Sequence, residues 1–245
     1  MQNICITAHA GAENTSPNTL ESIRYLATLP VYALEVDVRM VHGVLRLGHD
    51  PEHALAGPTL AECMETVAGL TPSMHINCDM KEKHLILEVL RLAVACGMAH
   101  RLVFTGEAPD AEERKAAVEA GSTVWMNSPR FPKAQKALFA SAPACVTEHE
   151  DTRMQWLMEH PQTQLEELEA DIRDAKASQV PCLNLCHLAL IPDGIRRILE
   201  NGLQISAWTV DSVPRFRELT RTGVQYVTSR APLRLLNDLQ SSGNP

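Results

Sequence analysis

The chain has 245 residues, of which 45% are hydrophobic, and its formal net charge at pH 7 is −8. This size and apolar content are sufficient for one large core, and α/β barrels often fold as a single domain of this size. The acidic balance and the lack of a basic stripe disfavour a nucleic-acid partner. No apolar run approaches the roughly 20 residues of a membrane-spanning helix, so we expect no stable membrane insertion.

The N-terminus and the cysteines favour a cytoplasmic location. The first residues, MQNICITAHAG, lack the basic start and long apolar run of a signal peptide. Seven cysteines are spread along the chain without a CxxC pair, a pattern typical of reduced thiols. The oligomeric state stays open, and an oligomer is compatible with the sequence.

Apolar runs with the character of strands alternate with helix-like runs along the chain. The strand candidates are residues 3–9, 33–40, 73–80, 101–106, 123–128, 181–187, 204–210 and 223–229. The helix candidates include 18–29, 59–70, 81–98, 109–121 and 191–202. This alternation predicts an α/β fold, a parallel (β/α)8 TIM barrel, as a single domain over residues 1–245. The alternative is an open doubly wound sheet, which the absence of GxGxxG after the first strand disfavours.

Two segments interrupt the simple alternation. Residues 41–50, VHGVLRLGHD, predict a turn at His42 and Gly43 that leads into a second short strand. The acidic stretch 150–180 has a helical pattern, and its carboxylates are typical of a solvated face.

The second predicted strand places two acids between apolar residues. Side chains alternate between the two faces of a strand, so in ALEVDVRM the residues Leu34, Val36 and Val38 share one face. Glu35 and Asp37 share the opposite face, which points into the barrel. Ionised carboxylates in that position are costly unless they are paired or bind a cation. The pattern therefore predicts a metal site, and its alternative is a solvated face of an edge strand.

The third predicted strand repeats this arrangement. In HINCDMK, Asn77, Asp79 and Lys81 share one face. Asp79 adds a third carboxylate and Lys81 adds a positive charge. Three carboxylates without soft ligands favour Mg²⁺ or Ca²⁺ over zinc.

Three further residues lie where strands end. His9 follows the first strand, and His49 follows the short strand of the predicted turn segment. Two histidines beside a metal site can act as a general acid and a general base. Asp50 could orient the loop or His49, and Trp208, near the end of the seventh predicted strand, could form a wall for a substrate.

This ordered set resembles the glycerophosphodiester phosphodiesterase family over essentially the whole chain. The segments that carry the resemblance are HAG at 9–11, PNTLESI at 17–23, EVD at 35–37, GHD at 48–50, GPTLAEC at 57–63, DMK at 79–81, WTVD at 208–211 and GVQYVTSRAP at 223–232. The resemblance implies a TIM barrel that hydrolyses glycerophosphodiesters, which are small molecules, to glycerol 3-phosphate and an alcohol.

The resemblance also implies roles for the site residues. The implied ligands of a divalent cation, Mg²⁺ or Ca²⁺, are Glu35, Asp37 and Asp79. His9 and His49 would be the catalytic acid and base, in an order that stays open, and Lys81 would hold the phosphate. The attacking oxygen would come from water or from the 2-hydroxyl of the glycerol.

The chain departs from the family pattern at three positions. Ala10 stands where the family has an arginine after the first histidine, and a point charge does not easily replace such a bidentate donor. Arg39 and Arg230 are the candidate replacements. Pro17 stands where the family has Glu, and Asp79 is shorter than the family's Glu. These departures keep two alternatives open: a related phosphodiesterase of altered substrate, such as a sphingomyelinase D-like enzyme, and a non-catalytic barrel that binds a phosphate ligand.

Overall fold

The computed structural model describes residues 4–128, 130, 152, 155, 156, 159 and 161–242. The strands are β1 Cys5–Ala8, β2 Ala33–Val41, β3 Val44–Leu47, β4 His75–Met80, β5 Leu102–Gly106, β6 Thr123–Asn127, β7 Cys182–Cys186, β8 Gln204–Trp208 and β9 Tyr226–Ser229. The helices, numbered among the described residues, are α1 Leu20–Leu26, α2 Pro51–Ala56, α3 Leu60–Leu70, α4 Ile86–Ala95, α5 Ala111–Glu119, α6 Pro161–Ala177, α7 Pro192–Glu200, α8 Val213–Arg221 and α9 Pro232–Ser242.

The parallel strands form a closed barrel. β1 pairs in parallel with β9 on one side and with β2 on the other, which joins the two ends of the sheet. All eight predicted strands are present, with ends that differ by up to three residues. The prediction of a (β/α)8 TIM barrel is therefore confirmed, and the open doubly wound sheet is wrong.

β3 is an additional strand that lies outside the eight parallel strands of the barrel. β3 pairs antiparallel with the outer part of β2, and Val41 lies opposite Val44. His42 and Gly43 form the turn with φ values of 49° and 78°. Two successive residues with positive φ are typical of a tight hairpin whose twist matches its strands. The predicted turn at these two residues is confirmed.

The apolar face of β2 packs under the helices, as its alternation predicts. Leu34, Val36 and Val38 are each at most 1% exposed and belong to the main hydrophobic cluster. The opposite face of the same strand is thereby directed into the barrel. The acids of β2 reach the barrel mouth for this reason.

Two other predictions fall partly outside the described residues. The acidic stretch forms α6 from residue 161, and most of residues 150–160 lie outside the described part. No disulfide joins two cysteines within the described residues, and Cys145 lies outside them. None of the described helices has the length and apolar character that crossing a membrane requires.

Candidate active site

A cavity of about 320 Å³ lies at the carboxyl ends of the barrel strands. Each of the seven residues that the sequence singles out for the site lines this cavity. They are His9, Glu35, Asp37, His49, Asp79, Lys81 and Trp208. Arg230, one of the two candidate replacements for the family's arginine, also lines the cavity. Sequence reasoning did not select four further lining residues, which are Thr105, Asn127, Asn184 and Thr209. The carboxyl face is where TIM barrels carry their active sites.

Lys81 lies between two of the carboxylates. Asp37 and Asp79 stand directly opposite each other on the paired strands β2 and β4. The Lys81 ammonium is 2.7 Å from Asp37 Oδ1 and also forms an ion pair with the Asp79 carboxylate. Both carboxylates thus contact the same ammonium group, that of Lys81.

The surroundings of Glu35 disfavour its charged form. Burial, together with the charges of Asp79 and Asp37, raises the pKa of Glu35 to about 8, although Lys81 and a hydrogen bond from Asn77 act in the opposite direction. Burial also raises the pKa of Asp79. A carboxyl group with such a raised pKa is stabilised in its charged form by any added cation.

Asn18 fixes the orientation of Asp37. Its amide nitrogen donates to Asp37 Oδ2 at 2.7 Å, and its amide oxygen accepts from the Asp37 backbone N–H at 3.0 Å. Asn18 is only 6% exposed and has a φ of 57°, a conformation that asparagine tolerates better than most residues. The segment PNTLESI, which carries part of the family resemblance, could have identified it.

A second chain of hydrogen bonds orients Glu35. Thr105 Oγ1 donates to Asn77 Oδ1 at 2.9 Å, and Asn77 Nδ2 donates to Glu35 Oε2 at 3.1 Å. Asn77 lies on the same strand face as Asp79, so the alternation of β4 pointed to it. No sequence signal pointed to Thr105, because its contact depends on the pairing of β4 with β5.

His9 is held in one orientation at the end of β1. Its Nδ1 lies 2.6 Å from the carbonyl oxygen of Ala10, and since that oxygen can only accept, we assign the hydrogen to Nδ1. In the neutral ring Nε2 then carries a free lone pair. Nε2 lies 3.7 Å from Glu35 Oε1, at the cavity.

The loop that carries His49 is anchored on both sides. The Gly48 N–H donates to the Asp37 carbonyl at 3.0 Å, and a Cβ at Gly48 would lie 2.2 Å from the backbone nitrogen of Ala54. The Asp50 carboxylate accepts from the His53 N–H at 3.0 Å and caps α2. Asp50 therefore orients the loop.

Trp208 and the asparagines lie on the side of the cavity formed by β6, β7 and β8. Trp208 is the last residue of β8, and Asn184 on β7 donates to Asn127 Oδ1 at 2.8 Å. An aromatic ring and amide groups on this side can contact the uncharged parts of a bound molecule. This agrees with the expected position of Trp208, whose role stays a prediction.

A different group of residues is more tightly gathered. Among the described residues, His84, Asp110 and Glu113 are the one group of His, Cys, Asp or Glu whose ligand atoms all lie within 4.8 Å of one another. Asp110 and Glu113 form the capping box of helix α5, and the Glu113 carboxylate also accepts from the Ile86 N–H at the start of α4.

The predicted cluster nevertheless has the chemistry of a site for a hard cation. Its donors are the carboxylates of Glu35, Asp37 and Asp79, and hard divalent cations prefer oxygen ligands. Asp37 and Asp79 already form ion pairs with Lys81, and one ammonium group cannot neutralise three ionised carboxylates. The residues present therefore fit a divalent cation.

Comparison with known proteins identifies structural relatives only. No family model matches the chain, and no curated protein matches it. Among solved structures, a glycerophosphodiester phosphodiesterase from Parabacteroides distasonis has a TM-score of 0.69 at 15% identity, and the match covers 99% of each chain. The corresponding enzyme from Thermotoga maritima has a TM-score of 0.59 at 16% identity, over 98% of this chain and 99% of that one.

A third solved structure contains a bound product. It is a phosphodiesterase from Oleispira antarctica in complex with sn-glycerol-3-phosphate, with a TM-score of 0.65 at 15% identity and 96% coverage of each chain. At sequence identities of 15–16%, the structural similarity establishes the fold alone. This chain therefore has the TIM-barrel fold of the glycerophosphodiester phosphodiesterases over nearly its whole length.

Proposed function

We propose that this protein is a metal-dependent phosphodiesterase that hydrolyses glycerophosphodiesters to glycerol 3-phosphate and an alcohol. One observation carries the proposal: His9, His49, the three acids and Lys81 line a single cavity at the barrel mouth. The product bound to the similar Oleispira antarctica enzyme supports the substrate class. The substrate is then a small molecule, and we place the reaction in the cytoplasm because the thiol pattern favours it.

The metal site in this proposal consists of Glu35, Asp37 and Asp79. A bound Mg²⁺ or Ca²⁺ would neutralise the phosphodiester and stabilise the charge that develops on its oxygens. Asn18 and Asn77 hold two of these carboxylates through hydrogen bonds. Lys81, which lies between Asp37 and Asp79, contributes a second positive charge beside the phosphate.

The two histidines move the protons in this proposal. The lone pair of His9 Nε2 accepts the proton of the attacking oxygen, because the Ala10 carbonyl holds the hydrogen of the ring on Nδ1. His49 donates a proton to the oxygen of the leaving alcohol. One P–O bond forms to the attacking oxygen and one breaks to the alcohol, so the alcohol leaves neutral.

Two departures from the family pattern favour a second candidate function. Ala10 is 6% exposed and offers no donor for a phosphate, and the side chain of Asp79 is shorter than Glu. A related phosphodiesterase with a changed substrate, such as a choline phospholipid, would retain the same acids and histidines. The two candidates differ in substrate and share the site.

A substrate panel separates these candidates. The purified protein with Mg²⁺ or Ca²⁺ is offered glycerophosphoethanolamine, glycerophosphocholine, lysophosphatidylcholine and bis-p-nitrophenyl phosphate. Release of glycerol 3-phosphate from the first two supports the proposed function. Turnover of the lipid alone supports the second candidate, and no cleavage of any diester together with tight phosphate binding would identify a non-catalytic barrel.

A further inference from the structure

We propose that Arg230 binds the phosphate group of the ligand at the mouth of the barrel. This inference rests on the proposed function, since it names the residue that recognises the phosphate of that substrate. It derives from the placement of Arg230 and from the partners of the other charged groups at the cavity.

The backbone of Arg230 is fixed beside His9. β9 ends at Ser229, which stands opposite Ala8 of β1, and the His9 N–H donates to the Ser229 carbonyl at 2.9 Å. The Arg230 N–H donates to Asp211 Oδ1 at 2.7 Å, and its carbonyl accepts from the Glu13 N–H at 2.7 Å. The residue therefore has a defined position, and its side chain lines the cavity.

The guanidinium itself is weakly engaged. Among the described residues, its nearest carboxylate oxygen is Asp211 Oδ2, which lies 3.9 Å from Nη1, and the Arg230 side chain is 64% exposed. An exposed pair at this distance contributes little to stability. The side chain can therefore turn toward an anion in the cavity without breaking a strong contact.

Lys81 alone is a weak hydrogen-bond donor to a bound phosphate. Its ammonium already contacts both Asp37 and Asp79, so part of its hydrogen-bonding capacity is used before a phosphate binds. Arg230 is the other lysine or arginine among the described residues that line the cavity. A guanidinium presents a planar pair of N–H groups that matches two phosphate oxygens, which an ammonium does not.

Arg39 does not supply this donor. Its Nε and Nη2 donate to the His49 carbonyl at 3.1 and 3.0 Å, and its Nη1 contacts Glu82 Oε1 at 3.1 Å. All three nitrogens of the guanidinium thus have partners, and Arg39 does not line the cavity. Of the two arginines that the sequence offered, the structure favours Arg230.

The experiment compares Arg230→Gln and Arg230→Lys with Arg234→Gln, which removes an exposed charge outside the cavity lining. Calorimetric titration with inorganic phosphate in the presence of Mg²⁺ measures anion binding without turnover. Steady-state assays with the best diester give KM and kcat. Since hydrogen bonds to charged groups are strong, Arg230→Gln should weaken phosphate binding about 10-fold or more, whereas Arg230→Lys should lie between it and the wild type.

The titration and the assay separate two kinds of failure. If the wild-type protein turns over diesters and Arg230→Gln binds phosphate as tightly as Arg234→Gln, the role of Arg230 is refuted and the proposed function stands. If the wild-type protein cleaves no diester but binds phosphate through Arg230, the proposed function fails and the binding role stands. If the wild-type protein does not bind phosphate, the role of Arg230 is refuted.

Discussion

Arg39 holds the backbone of His49 with two hydrogen bonds to its carbonyl oxygen, from Nε at 3.1 Å and Nη2 at 3.0 Å. Glu82 Oε1 fixes the third nitrogen of the same guanidinium at 3.1 Å, and Glu82 Oε2 accepts from the Met40 N–H at 3.4 Å. The extension of β2 beyond the barrel therefore positions the loop that carries His49. In the proposed reaction, Arg39 is a positioning residue that acts through His49.

We expect Arg39→Gln to lower kcat about 10-fold, because small misplacements of a catalytic group are costly, and to leave KM nearly unchanged. Arg39→Lys should restore little activity, since an ammonium does not reproduce the fork that binds the carbonyl. Arg46→Gln is the matched control. Arg46 lies on the neighbouring strand β3, and its guanidinium also donates to a backbone carbonyl, that of Gly57, at 2.7 Å. Steady-state kinetics and thermal unfolding of the three variants check this. Equal kcat values for Arg39→Gln and Arg46→Gln would contradict the positioning role.

Loss of the Asn18 amide should weaken cation binding. Asn18→Ala leaves Asp37 Oδ2 without its amide donor and frees the carboxylate to turn, so we expect the Kd for Mg²⁺ to rise about 10-fold. Asn201→Ala, which removes an amide that accepts from Lys176 at 3.1 Å, is the control for a general loss of stability. Calorimetry with Mg²⁺ measures both variants. Unchanged cation affinity in Asn18→Ala would exclude a role of this amide in the site.

Variants of the acids and variants of the histidines should differ in whether they bind the cation. Glu35→Gln removes a charged ligand, so we expect loss of divalent-cation binding and of activity together. His49→Asn should retain cation binding and lose activity by about 100-fold or more, because it removes a proton donor. Titration with Mn²⁺ followed by electron paramagnetic resonance distinguishes the two kinds of variant. Wild-type cation binding in Glu35→Gln would remove this residue from the proposed ligand set.

A half-buried histidine away from the site, His75, should make stability depend on pH. Burial, assisted by the charge of Arg101, lowers the pKa of His75 below 6.5. The unfolded chain then binds this proton more tightly than the folded one. His75 therefore contributes stability that is fully present above pH 6.5 and is lost as the pH falls through its lowered pKa.

His75→Phe tests this dependence. The phenylalanine ring keeps the stack on Tyr32, whose ring centroid lies 4.4 Å from that of His75, and it cannot be protonated. We expect its free energy of unfolding to fall less between pH 7.5 and 5 than that of the wild type. Urea denaturation at the two pH values provides the comparison. Parallel losses in both proteins would assign the pH dependence to other groups.

The sequence predicted those parts of the molecule that depend on local pattern. The alternation of ALEVDVRM predicted both the buried face of β2 and the inward position of Glu35 and Asp37, because a strand has a fixed period. The turn at His42 and Gly43 was predictable for the same local reason. The positions of His9 and His49 at the ends of predicted strands indicated them as candidates, and the family resemblance implied their catalytic roles.

The remaining features depend on contacts between distant segments. The ion pairs of Lys81 with Asp37 and Asp79 follow from the register of β2 against β4, which the pattern does not specify. Asn18 reaches Asp37 because its loop adopts a left-handed conformation. Arg39 and Arg230 were equal candidates in sequence, and the hairpin of β2 and β3 decides between them by directing Arg39 to the His49 loop.

We propose that a cation held by Glu35, Asp37 and Asp79 enables this barrel to hydrolyse glycerophosphodiesters. The most direct test is release of glycerol 3-phosphate from glycerophosphoethanolamine and glycerophosphocholine with Mg²⁺, with Ca²⁺ or with EDTA, for the wild type and for Glu35→Gln. We expect release by the wild type that EDTA abolishes and added metal restores, and no release by Glu35→Gln. Release by the wild type that persists undiminished in EDTA, or full activity of Glu35→Gln, would contradict the claim.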